Sequence, residues 1–82
     1  MQFSSIIVMA RPGSAAHVAG GLTALPGVEI FAHHEPTGRF IVVQEAPDAS
    51  AQENGFRHIQ ALPGVAGAWL VSHAIDDERD PA

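Results

Sequence analysis

The side chains able to do chemistry are few, and they rarely occur together. His33, His34 and Glu35 are consecutive, and two imidazoles beside a carboxylate are candidates for a metal site or an acid–base pair. Consecutive strand residues point to opposite faces, however, so both rings meet one ion only if the strand is bulged. His17 and His58 fall in segments of helical periodicity and are expected on helix surfaces. Cysteine, lysine and tyrosine are absent, which removes disulfides, thiolate metal sites and most activated nucleophiles. The serines are scattered, and Ser14 and Ser50 stand where helices would be capped. The glycines mark turns and helix ends rather than a phosphate-binding loop. The residues therefore predict a protein that is not an enzyme and that holds no cofactor or metal.

Charge narrows the partner. Four arginines (Arg11, Arg39, Arg57, Arg79) face nine acidic residues, for a formal net charge of −5. A phosphate backbone needs a basic stripe, so nucleic acid is not expected, whereas a cationic partner is. Stacking aromatics for RNA exist in Phe31 and Trp69, but basic residues to support them do not. Asp76, Asp77, Glu78 and Asp80 concentrate acid at the end of the chain, where residues 77–82 are expected to form a solvated, flexible tail behind one domain over residues 1–76. The longest apolar run, Ile6 to Ala10, falls far below the ~20 residues that span a bilayer. The first five residues lack the basic segment of an export signal, which points to a cytoplasmic protein.

Six elements must position these residues. Phe3 to Ala10 is β-branched and aliphatic and predicts a strand. Pro12-Gly13 breaks it, Ser14 can cap, and Ala15, Val18, Leu22 and Leu25 recur at helical spacing. Gly20-Gly21 weakens that helix unless close packing needs the gap. Val28 to His34 predicts the second strand, Pro36-Thr37-Gly38 a hairpin turn, and Arg39 to Ala46 the third strand. Ser50-Ala51-Gln52-Glu53 matches a capping box for a second helix carrying Phe56, Ile59 and Leu62. Gly67 to Ile75 predicts the last strand.

The pentapeptide Ala-Leu-Pro-Gly-Val occurs at Ala24 to Val28 and again at Ala61 to Val65. The same offset maps Leu22 onto Ile59 and Leu25 onto Leu62, so each copy marks a helix ending on a leucine before the next strand. Two βαβ units joined by a hairpin make an α+β, ferredoxin-like split βαβ sandwich. Its antiparallel sheet has order 4-1-3-2, with both helices on one face.

One sheet face is then covered and the other bare. Alternation assigns Ile6, Val8, Val28, Ile30, Phe40, Val42, Ala68 and Leu70 to the covered face. The open face receives Ile7, Met9, Glu29, Phe31, His33, Ile41, Val43, Glu45, Trp69, Val71 and His73. A face meant for water alternates to polar residues, and this one is a platform of Ile, Val, Met, Phe and Trp bordered by carboxylates. Such a patch marks an interaction surface. A second copy, a ligand held within such a dimer, or an apolar partner helix with cationic residues meeting Glu29 or Glu45 would cover it.

Several stretches resemble the NapD family. They are Ser5 to Val8, Leu25 to Glu29, the segment Pro36 to Ala46, Leu62 to Val65, and Leu70 to His73. The resemblance runs from about Ser4 to Asp77. It implies a cytoplasmic, non-catalytic chaperone for assembly of the periplasmic nitrate reductase. Such chaperones bind the twin-arginine signal peptide of the catalytic subunit as a helix and delay its export until the cofactor is inserted. Leu25 to Val28 followed by Thr37-Gly38 is also similar to the ligand-binding domain of Lrp/AsnC-type regulators. That resemblance implies an oligomeric sensor of a small molecule such as an amino acid. A dimeric α+β-barrel enzyme is a third reading and needs a histidine pocket between subunits.

Overall fold

Residues 1–75 are described by a computed structural model. Strand β1 (Gln2–Ala10) is followed by helix α1 (Ala15–Ala24), strand β2 (Val28–His34), a 3-10 turn (Glu35–Thr37), strand β3 (Arg39–Ala46), helix α2 (Ala49–Ala61) and strand β4 (Val65–Ile75). The sheet is antiparallel throughout, in the order β2-β3-β1-β4. That is the predicted 4-1-3-2 order read from the opposite edge. The expected acidic tail lies outside the described residues.

The two long β-branched runs occupy the middle of the sheet, where both edges are paired. Their even-numbered residues Ile6, Val8, Phe40 and Val42 are buried, and helix residues Val18, Leu22 and Ile59 close over them. Both helices therefore pack on one face, as predicted. Gly21 justifies its place in α1, because a Cβ there would stand 3.1 Å from the Leu62 side chain. Its neighbour Gly20 meets nothing. The packing is thus tight at one of the two glycines and open at the other.

The repeated pentapeptide builds the same hinge twice. The Leu25 amide donates to the Leu22 carbonyl and the Leu62 amide to the Ile59 carbonyl, each at 3.2 Å. Gly27 and Gly64 then turn the chain at φ 72° and 89°, a left-handed conformation that glycine adopts without a Cβ clash. At Gly27 the close neighbour is the Glu45 backbone carbonyl, and the Glu45 amide donates to the Gly27 carbonyl at 2.8 Å. The hinge thereby fixes the start of β2 against the end of β3, with Glu29 beside Glu45.

The helix caps differ from expectation. Asp48, not Ser50, caps α2: its Oδ1 accepts from the Ala51 amide at 2.8 Å, and Ser50 lies inside the first turn. Asp48 has the extended backbone of a cap residue, and a carboxylate suits the positive end of the helix. Ser14 occupies the cap position of α1 without making a side-chain cap. Beneath α2, Gln44 is buried and its Nε2 donates to the Gln52 carbonyl at 3.2 Å.

Candidate functional site

No helix crosses the second face of the sheet. At its centre Ile7 pairs with Ile41 on one side and Trp69 on the other. Phe31, Ile41, Trp69 and Val71 are exposed, and Ile7, Met9 and Val43 are half-buried. The Trp69 ring lies along its own strand over Gly67, where a Cβ would fall 2.9 Å from it. The indole is consequently held flat on the sheet while remaining 55% exposed. The predicted apolar platform is present.

Two register shifts alter its composition. In β2, Ile30 pairs with Val42 but Ala32 pairs with Ile41, so Phe31 is an extra residue and, with Ala32, opposes Ile41. Phe31 is 76% exposed as a result. The bulge reverses the parity of everything after it. His33 falls opposite Phe40 and stacks on its ring on the covered side, with centroids 4.0 Å apart and planes inclined by 2°. His33 therefore does not belong to the open face, contrary to the alternation. Instead His34 pairs with Arg39 at the level of the open face, and its Nδ1 lies 2.8 Å from the Thr37 hydroxyl. The adjacent histidines stand on opposite faces and do not form one metal or acid–base site.

The second shift lies in β4. Leu70 pairs with Ile6 and Ser72 with Ser5, leaving Val71 as the extra residue. Val71 and Ser72 together oppose Ser5, on the open side. His73 comes into register with Ser4, a covered-face residue, rather than with the open-face set. Leu70, assigned by alternation to the covered face, is 44% exposed because β4 is the sheet edge.

The polar groups of the open face separate by charge. Glu29 pairs with Val43, and Glu45 with Phe3. Both carboxylates line a hollow of about 410 Å³ with Phe3, Gly27, Val28 and Val43. At the other end of the same face, Arg39 pairs with Met9 and with His34. The side-chain ion pair among the described residues, Arg57 with Glu53, lies on α2. Glu29, Glu45 and Arg39 are exposed and have no ion-pair partner among the described residues. Arg39 and Phe3 were absent from the predicted site, although simple alternation from Ile41 and Ile7 reaches both. The two bulges carry no such signal.

The chain is similar in sequence and fold to known proteins. The family model described as "NapD protein" matches residues 1–77. The chain belongs to the NapD family. A solved member, the Escherichia coli Tat proofreading chaperone protein NapD, is 26% identical. It superposes with a TM-score of 0.81, over 98% of this chain and 84% of that one. No curated protein matches the sequence. The NapD likeness confirms the ferredoxin-like arrangement of four strands and two helices. Among the described residues, no helix of this NapD family member is long and apolar enough to cross a membrane.

Proposed function

We propose that this protein is a cytoplasmic proofreading chaperone of twin-arginine export. On this reading it binds the twin-arginine signal peptide of the periplasmic nitrate reductase catalytic subunit as a helix across the open sheet face. It thereby delays export until the cofactor has been inserted, and it catalyses no reaction itself. Membership of the NapD family supports the chaperone role. The observation that carries the binding mode is the uncovered platform around Ile7, Ile41 and Trp69, bordered by carboxylates that have no ion-pair partner among the described residues. A signal peptide is basic near its start and apolar along its length, and both properties are complemented there. Coulombic attraction accelerates capture, and apolar burial slows release.

Calorimetry with a synthetic nitrate reductase leader peptide tests the proposal. Saturable binding is expected, with affinity reduced roughly tenfold or more when both arginines become glutamine, since charge-assisted pairs are worth about 1.5–3 kcal/mol each. Absence of binding, or binding indifferent to the arginines, contradicts it. A protein that instead forms a constitutive oligomer and binds an amino acid fits the Lrp/AsnC-like alternative.

A further inference from the structure

The open face is electrically polar along the strand direction, and this assigns a direction to what lies on it. Glu29 on β2 stands opposite Val43, and Glu45 lies two residues further along β3, a diagonal separation of about 7–8 Å between the two glutamate positions. Phe3 closes the same hollow, presenting an aromatic ring on which a guanidinium stacks while its fork meets a carboxylate. Arg39 stands at the far end, opposite Met9. Glu35 lies beyond the sheet in the 3-10 turn and lines a separate hollow with Arg11. Both stand beyond the sheet, which leaves Arg39 as the cation on the open face itself at that end, among the described residues.

From Phe3 to Met9 the face extends six residues along β1, about 20 Å at ~3.3 Å per residue. That length accommodates about 13 residues of α-helix at 1.5 Å per residue. A helix carries partial positive charge at its N-terminus and negative charge at its C-terminus. An N-terminal arginine pair and the helix dipole therefore prefer the same orientation on this face. We infer that the signal-peptide helix lies along the strands with its arginine-bearing end over Glu29, Glu45 and Phe3 and its C-terminal end at Arg39. This rests on the signal-peptide reading above. The two ends of the face are independent observations, and a peptide docked in reverse meets both with like charge.

The test uses the isotopically labelled full chain and the synthetic leader peptide carrying a nitroxide at one end or the other. An N-terminal label is expected to broaden the amides of Phe3, Glu29 and Glu45, and a C-terminal label those of Met9 and Arg39. Binding with the opposite pattern, or with no difference between the labels, overturns the assigned direction and leaves the signal-peptide reading standing. Failure of the unlabelled peptide to bind overturns that reading and the direction with it. The double substitution Glu29→Gln, Glu45→Gln is expected to weaken binding about tenfold for the arginine-bearing peptide, and much less for its glutamine counterpart. Equal loss for both peptides also overturns the assignment.

Discussion

Phe40→Ala is expected to destabilise the protein by about 3–5 kcal/mol, the cost of a large aromatic truncation in a packed interior. Phe40 is only 1% exposed and has the largest volume of the fully buried side chains. It sits in a central strand, in one core cluster with Val18, Leu22 and Ile59 of the helices, so neighbouring side chains cannot collapse readily into the space. The substitution also removes the ring on which His33 stacks. A domain of this size is held by only about 5–15 kcal/mol, so the variant should unfold at markedly lower urea concentration. Urea denaturation followed by far-ultraviolet circular dichroism measures the loss. A change below about 1 kcal/mol contradicts the placement of Phe40 as the centre of the core, because truncations there are never that mild.

Ile7→Asp should produce the opposite separation of effects. Ile7 is one position along β1 from buried Ile6 but lies on the open face, between Ile41 and Trp69. Its aspartate variant places a carboxylate where the proposed peptide buries its apolar side. Loss of one buried aliphatic contact costs about 1.5–3 kcal/mol, and desolvating the new charge adds to it. The dissociation constant for the leader peptide should rise about tenfold at least. The urea midpoint should move by no more than about 1 kcal/mol of stability, as for other surface changes. An unfolded variant contradicts the assignment of Ile7 to the exposed side, and an unchanged affinity contradicts its place in the binding face.

The architecture was legible because it rests on short-range signals that repeat. The β-branched strands, the leucine–proline–glycine hinges and the helical spacing of Val18 and Leu22 or Phe56 and Ile59 all specify local geometry. Their order leaves one right-handed solution. The apolar platform followed from alternation alone along β1 and β3, the unbulged central pair. Alternation failed at His33 because one extra residue, Phe31, reverses the parity of the rest of its strand, and Val71 shifts the register of β4 in the same way. Neither bulge is marked by glycine or proline, so nothing local announces it. The α2 cap was misassigned to Ser50 because Asp48 and Ser50 both resemble caps in sequence. Which of them bonds an amide is decided by where the helix starts, at Ala49, which puts Asp48 at the cap and Ser50 in the first turn. Arg39 was missed for a different reason. It begins its strand beside the turn, although alternation from Ile41 reaches it and its pairing with Met9 places it on the face.

Amide chemical-shift mapping of the full chain, titrated with the unmodified leader peptide, tests the central claim most directly. The account predicts that the perturbed amides trace the open-face register, centred on Ile7, Ile41, Val43 and Trp69. The helix residues Ala16, His17, Glu53 and Arg57 should stay unmoved. Perturbations concentrated on α1 and α2, or none at saturating peptide, would contradict it.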